Sequence, residues 1–329
     1  MFTKKLLFAL ALCCLSLPAH AKGPNFVELT PDADEAIRKG LRFIANRQNA
    51  DGSWNARVGK NVGICSLALL SLMVKGNIPG RGTYGKTVAK GMAFVLSASA
   101  PSGLIAKHTS HGPMYGHGFA TLFLAEVYGM TQNQRVRDKL KKGVDLIVRT
   151  QNSRGGWRYQ PIPSDDDISV TVVQVVALRA ARNAGIDVPK ATIDNAIKYV
   201  RACYNKKDGG FGYRPGGGSG FARTAAGCMS LQLSGEYKAE EVKAGLEYLI
   251  KNREAKDHHY FYAHYYAVQA MYQEGEEFWE EWYPKIREDL ISRQESDGSW
   301  KGGAGNIYGT AMACLILGVP YRYLPIYQH

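Results

Sequence analysis

Three consecutive aspartates, Asp165, Asp166 and Asp167, stand where a glycine-rich turn gives way to an apolar segment. A carboxyl group that neighbouring carboxylates and apolar surroundings keep protonated can act as a general acid, because both raise its pKa. The same carboxylates with His117 or His264 would suit a divalent metal ion. Aspartates at the start of a helix also cap open backbone amides and complement the helix dipole. The sequence leaves these three interpretations of the candidate acid cluster open.

Further candidates fall at the starts of other apolar segments. With 100° per helical residue, Asp167, Thr171 and Gln174 share one stripe, and His117 shares another with Thr121. Polar stripes on apolar helices predict a polar-lined part of a cavity, although packing with satisfied hydrogen bonds is the competing explanation. The candidate ligand-binding residues are His117, Tyr115, Thr171, Arg223, Tyr260, His264 and Tyr308.

A sequence repeat must position these residues. The segments KGLRFI, KGMAFV, KGVDLI, NAIKYV, AGLEYL and IREDLI begin at residues 39, 90, 142, 195, 244 and 286. Most are followed by a glycine-rich turn with an aromatic residue, such as RQNADGSW at 47–54, and then by a second apolar segment. Two helical segments in each of six units predict twelve helices in six hairpins.

The polarity of the segments predicts how the hairpins assemble. The second helix of each unit is apolar around much of its circumference, whereas the first carries Lys, Arg and Glu on one side. We therefore expect an all-α fold, a single α/α toroid of six helical hairpins with six inner and six outer helices, over residues 22–329. Parallel inner helices would gather their amino termini, with open amides, at one end beside the glycine-rich turns.

The turns carry a family resemblance. RQNADGSW, TQNSRGGW and RQESDGSW resemble the QW motif of squalene and hopene cyclases, and DGGFGYRPGG is similar to a turn of protein prenyltransferase β subunits. The chain most resembles bacterial secreted proteins with prenyltransferase and squalene oxidase repeats, and MYGHGFATLFLAEVYGM at 114–130 looks typical of that group. The resemblance covers nearly all of the chain after residue 21 and implies the toroid fold.

The resemblance also implies two chemistries, and the sequence departs from both. The aspartates resemble the D-x-D-D acid of class II terpene cyclases, but Ser164 occupies the first position. The zinc site of the prenyltransferases would need D-x-C, and Ser169 stands in place of the thiolate, although His264 follows at a plausible distance. Neither activity is therefore implied for this chain by the motif alone.

The amino terminus and the composition suggest a location. Residues 1–21 read as a signal peptide, with Lys4 and Lys5, an apolar run and a small-residue cleavage site near Ala21, so the protein is expected to be secreted or periplasmic. No later segment is long and apolar enough to span a membrane. The formal net charge of +12 suits anionic partners or ordinary solvation, and no nucleic-acid-binding module is recognisable.

Four cysteines follow residue 21. Ring closure would bring Cys65 near Cys314, and Cys203 shares a unit with Cys228, so an oxidising compartment permits two disulfides. Each cysteine also reads as a small apolar residue on a helix face. Free thiols are thus the alternative.

These observations lead to two functional hypotheses. The first is a toroid that binds, or as an enzyme transforms by acid catalysis, an apolar or isoprenoid-like ligand in its central cavity. The alternative is a non-catalytic module that recognises an envelope protein, peptide or glycan. No cofactor is expected, apart from the divalent metal considered above, and the sequence does not indicate an oligomeric state.

Overall fold

A computed structural model describes residues 29–254 and 259–328, without the side chain of Glu276. The predicted signal peptide, with its cleavage site, lies outside the described residues. Six hairpins follow in chain order: α1 (Pro31–Asn46) and α2 (Val62–Met73); α3 (Gly85–Ser97) and α4 (Met114–Thr131); α5 (Gln134–Arg149) and α6 (Ile168–Asn183); α7 (Lys190–Ala202) and α8 (Phe221–Leu233); α9 (Glu240–Lys251) and α10 (Tyr260–Glu274); α11 (Glu276–Ser292) and α12 (Asn306–Leu317). Two 3₁₀ helices, Val319–Tyr321 and Pro325–Tyr327, come last.

The even-numbered helices form a closed inner ring. Each packs against the next, and α12 packs against α2, while every odd-numbered helix lies outside the ring. All residues of α2 are buried, whereas α5 buries one face with Val136, Leu140, Val144 and Ile147. The predicted toroid of six inner and six outer helices is confirmed, and no strand occurs among the described residues. None of the described helices is long and apolar enough to cross a bilayer.

Glutamine and tryptophan in the turns bind neighbouring helices together. The Nε2 group of Gln48 donates to the carbonyl of Thr87 in α3, and that of Gln151 donates to Thr192 in α7, both at 2.9 Å. Gln294 repeats this bond from the last turn to Ala36 of α1, also at 2.9 Å, and so joins the two ends of the chain. The indole of Trp157 donates to Ile147 of the preceding outer helix at 2.8 Å. The QW-like motif is therefore a brace between units.

In five of the six units, a second bond links the turn to the inner helix that follows. The backbone N–H of Trp157 donates to the hydroxyl of Thr171 at 3.2 Å, and that of Trp300 donates to Thr310 at 3.1 Å. Equivalent acceptors on the other units are Cys65 for Trp54, His117 for Ile105 and Thr224 for Phe211. These amides are buried, so an acceptor at this position avoids the cost of an unsatisfied donor.

Helix α4 begins at Met114. Gly116 and Gly118 lie within this helix. A side chain at Gly63 would meet the backbone of Gly116, and one at Gly118 would overlap Val173 of α6. The glycines therefore allow α4 to approach both neighbours, which compensates for their low helix propensity.

All four cysteines that follow residue 21 are free and buried, so the two possible disulfides are not formed. The three thiols on inner helices point outward from the ring instead of towards a neighbouring inner helix, and Cys203 is the C-cap of the outer helix α7. Cys65 contacts the backbone of Trp54, Cys314 lies beside the carbonyl of Ile37 in α1, and Cys228 lies beside that of Val242 in α9. They occupy small-residue positions under the outer helices, which is the apolar role that was the alternative.

The carboxyl-terminal segment covers the end of the ring where the inner helices finish. Ile326 and Tyr327 are buried, and the 3₁₀ helix that contains them packs against α4 and α6. The backbone N–H of Ile326 meets the carboxyl group of Glu126 at 3.4 Å. Burial raises the pKa of Glu126 to about 8, so this group is a neutral acid below that pH. The opposite end, where the inner helices begin, is called the mouth below.

Candidate functional site

The mouth opens into a cavity of about 1140 Å³ at the axis of the ring. All six inner helices contribute to its wall near their first turns, as the parallel arrangement predicts. The lining includes Asn61, Ile64, Leu67, Tyr115, Phe119, Ser169, Phe221, Arg223, Tyr262 and Tyr308 from these helices and their caps, and Arg57, His111, Tyr159, Tyr213, Tyr248 and His259 from loops and outer helices. No aspartate or glutamate is among the described lining residues.

Six tyrosines dominate the polar part of this wall. The hydroxyls of Tyr159 and Tyr213 are 2.8 Å apart, and the hydroxyl of Tyr262 donates to the carbonyl of Ser169 at 2.6 Å. The ring of Tyr115 lies between Tyr159 and Tyr262, with centroid distances of 6.1 and 6.4 Å. The hydroxyl of Tyr308, on α12, has no partner within the described part of the chain. The wall therefore presents flat aromatic faces together with hydrogen-bonding groups.

Three of the predicted ligand-binding residues line the cavity: Tyr115, Arg223 and Tyr308. Their part in binding remains a prediction. The candidates that we inferred from the sequence did not include Arg57, Tyr159 and Tyr213. Tyr159 and Tyr213 each stand two residues after the aromatic residue of a turn, Trp157 and Phe211 respectively. This shared position in the repeat is the signal that would have identified them.

His117 and Thr171 lie outside the cavity lining, which corrects the expectation that their stripes face it. The Nδ1 atom of His117 accepts the N–H of Ile105 at 3.1 Å, and Nε2 lies 3.1 Å from the carbonyl of Gly143 in α5. These partners place the proton on Nε2, and burial lowers the pKa to about 4, so the ring is neutral. The side chains of His117 and Thr171 each accept a hydrogen bond from a backbone amide of the turn that precedes their helix.

Tyr260 and His264 also face outward, and neither lines the cavity. The hydroxyl of Tyr260 donates to Asp289 of α11, and the guanidinium of Arg293 covers its ring. His264 is buried against Tyr260, with a centroid distance of 4.4 Å, and against Trp282 of α11 at 5.7 Å. The two side chains thus belong to the packing between α10 and α11.

The aspartates of the candidate acid cluster have separate partners. Asp165 pairs with Arg158 and, at 2.9 Å, with Arg214. Asp166 is fully buried and accepts from Asn152 and from the guanidinium of Arg154, both at 2.6 Å. Arginines therefore neutralise the first two aspartates and fasten the loop before α6.

Asp167 is the N-cap of α6 and is fully buried. Its Oδ1 atom accepts the N–H of Val170 at 2.8 Å, which is the capping bond, and its Oδ2 atom lies near Arg158 at 3.8 Å. Burial raises the pKa of Asp167 to about 6, against the opposing effects of the capping bond and of Tyr213. The carboxyl group lies beside Tyr213 and is not part of the cavity lining.

The carboxylate and histidine metal site considered above is not assembled. His117 and His264 each face an outer helix, while the aspartates meet arginines. Across the described residues, no group of three or more histidine, cysteine, aspartate or glutamate side chains is placed to hold a metal ion.

Several solved structures with a similar fold carry names that refer to saccharides. Cellobiose 2-epimerase from Spirochaeta thermophila aligns with a TM-score of 0.67 at 14% identity, over 88% of this chain and 96% of the epimerase. A family 76 glycoside hydrolase (mannosidase) from Bacteroides thetaiotaomicron gives 0.64 at 11% identity, over 89% and 98% of the chains. An inactive α-1,6-mannanase variant from Salegentibacter, in complex with α-1,6-mannotriose, gives 0.64 at 9%, over 88% and 99%. At these identities the likeness concerns the fold alone.

Sequence comparison identifies the family. No curated protein sequence matches the chain. The family described as the prenyltransferase alpha-alpha toroid domain matches residues 64–259, more than half of the chain, from the first inner helix to the start of α10. The matched range contains the starts of α4, α6 and α8 and most of the residues that line the cavity. This protein therefore belongs to the prenyltransferase α/α toroid family.

Proposed function

We propose that this protein is a glycan-binding module that holds a saccharide in its central cavity. The observation that carries the proposal is the lining of six tyrosines with no carboxylate among the described residues of the wall. The faces of a sugar ring carry C–H groups that pack on aromatic rings, while its hydroxyls need hydrogen-bonding partners. The cavity, at about 1140 Å³, exceeds the roughly 300–1,000 Å³ of common ligand pockets and would accommodate an oligosaccharide.

The polar groups in the wall disfavour the isoprenoid-like ligand of the first hypothesis. A hydrocarbon chain would take the Tyr308 hydroxyl out of water without offering a hydrogen bond. Each such burial costs about 1–3 kcal/mol in proteins. A saccharide would replace the lost water contacts with its own hydroxyls.

The same wall supports binding without hydrolysis. Most glycoside hydrolases need two carboxyl groups about 5–9.5 Å apart across the scissile bond. Asp165 and Asp166 are paired with arginines, and Asp167 is not part of the cavity lining. The saccharide-acting proteins with this fold support a sugar ligand, and the signal-like amino terminus supports a place in the cell envelope.

Binding of oligosaccharides by calorimetry tests the proposal. We expect a neutral or acidic oligosaccharide to bind, and Tyr308→Ala to weaken that binding about tenfold, because the variant loses a stacking face in the cavity. Tyr323→Ala is the matched control, since Tyr323 is an exposed tyrosine that does not line the cavity. An isoprenoid alcohol that bound more tightly than every saccharide would refute the proposal.

A further inference from the structure

The charged side chains of the cavity have one sign. Arg57 and Arg223 line it, and the described lining includes no aspartate or glutamate. The three arginines beside the candidate acid cluster are different, because Arg154 pairs with Asp166, and Arg158 and Arg214 pair with Asp165. Neither Arg57 nor Arg223 forms an ion pair within the described part of the chain. Two guanidinium charges are therefore left for a ligand.

Backbone contacts position both guanidinium groups. The Nη1 atom of Arg223 donates to the carbonyl of Gly218 at 3.1 Å, and the guanidinium lies so close to Gly220 that a side chain there would overlap it. Nη1 of Arg57 lies 3.5 Å from the carbonyl of Gly303 in the last unit. A guanidinium has five donors, so each group retains donors for a planar anionic partner such as a carboxylate or phosphate.

The two arginines belong to opposite sides of the ring. Arg57 precedes α2, Arg223 lies in α8, and these two inner helices are three places apart among the six. A ligand that extends across the cavity would therefore meet one guanidinium near each side. A compact anion would reach only one of them.

The backbone adds a positive electrostatic potential to that of the two arginines in the cavity. All six inner helices begin around the cavity, and α4, α8 and α12 start without a side-chain cap. The open amides at a helix start carry a partial positive charge. Together with Arg57 and Arg223, these amides make the cavity a place where a neutral ligand would leave positive charge uncompensated.

We infer that the saccharide is an acidic one, an extended glycan whose carboxylate or phosphate groups pair with Arg57 and Arg223 while its rings pack against the tyrosines. This inference rests on the proposed function and specifies its ligand class. Tyr115 and Tyr308 would contact the sugar faces between the two arginines.

The test compares three oligosaccharides by calorimetry at low and moderate salt: neutral α-1,6-mannohexaose, the same hexamer carrying a phosphate group, and hexagalacturonate. We expect an acidic hexamer to bind at least tenfold more tightly than the neutral one, since each charge-assisted contact contributes about tenfold. The advantage should shrink as salt is raised. Preference between the two acidic hexamers then identifies carboxylate or phosphate as the natural group.

Charge-neutralising variants distinguish binding of the acidic hexamers in the cavity from binding to the basic surface of the protein. The double variant Arg57→Gln with Arg223→Gln should lose the advantage of the acidic hexamers and keep the weak neutral binding. Arg135→Gln is the matched control, because Arg135 is exposed at the start of α5, away from the mouth. Equal affinity for neutral and acidic hexamers, or an unchanged preference in the double variant, would overturn the acidic ligand and leave the glycan proposal standing. Absence of binding to all three hexamers would overturn both.

Discussion

Replacement of Asp167 by asparagine separates its two roles, the helix cap and the buried charge. Asparagine caps a helix about as well as aspartate, so the bond from the Val170 amide should survive in Asp167→Asn. Asparagine does not ionise. The pKa of Asp167 is raised to about 6 from an ordinary value of 3.8, so the folded protein holds this proton more tightly than the unfolded chain does.

The sign of the pH effect follows from that difference. Between about pH 4 and 6 the folded state keeps the proton and the unfolded state has lost it, so this group lowers the free energy of unfolding as pH rises. A shift of about two pKa units corresponds to about 2–3 kcal/mol. We therefore expect Asp167→Asn to be close to the wild type at pH 4 and more stable by up to about 2–3 kcal/mol at pH 7.5.

Urea denaturation at both pH values measures the gap, and Asp167→Ala provides the comparison. Alanine removes the cap as well as the charge, so it should be less stable than Asp167→Asn by about 1 kcal/mol at either pH. The reasoning is refuted if Asp167→Asn is less stable than the wild type at pH 7.5 while their difference stays constant with pH. That outcome would mean that Arg158 and Tyr213 stabilise an ionised Asp167.

Three further predictions concern other buried groups. The raised pKa of Glu126 means that its ionised form destabilises the folded protein, so the wild type should lose stability between about pH 5 and 8. Glu126→Gln should not show this loss and should be at least ~2 kcal/mol more stable than the wild type at pH 9. Thermal denaturation across this pH range measures the difference. Gly155→Ala should lower the free energy of unfolding by at least ~3 kcal/mol, because Gly155 has a φ of 94° and a side chain there would overlap the carbonyl of Asn195. Gly216 has a φ of 76° but open space around it, so Gly216→Ala should lower the free energy of unfolding by only about 1 kcal/mol. Denaturant unfolding measures both values. Alkylation without reductant should label the four thiols after residue 21 in denatured protein and none of them in folded protein; a requirement for prior reduction would contradict the free cysteines.

The fold could be predicted because the sequence repeats the same pattern of an amphipathic helix, a turn and an apolar helix in six units. Gln48, Gln151 and Gln294 recur beside glycine and tryptophan, and each makes the same bond to the next outer helix. A single unit would be ambiguous, but six units identify which helix is inner and which is outer. The sequence could therefore indicate the ring and the end where the turns meet.

The site was harder to predict because an inner helix is buried on all sides. Hydropathy then cannot say which stripe faces the axis and which faces an outer helix. His117 and Thr171 are polar because a turn amide beneath the outer helix needs an acceptor, and cavity residues such as Ile64 and Phe119 are apolar. Tyr159 and Tyr213 enter from turns, where no helical periodicity applies. Polar residues on the inner helices thus mark where turn amides need acceptors. They do not mark which side of a helix faces the cavity.

The bond from Gln294 to Ala36 joins the last unit to the first in the same way that Gln48 joins the first unit to the second and Gln151 joins the third to the fourth. The six hairpins therefore contact one another in a closed cycle, in which no hairpin is terminal. A chain that began at another unit boundary could form the same contacts, so circular permutation is compatible with this architecture. Loss or duplication of one hairpin, by contrast, would change the angle that each unit must subtend and leave the ring unable to close. The number of units is therefore fixed by closure, unlike in open repeat arrays, which can lengthen by whole units.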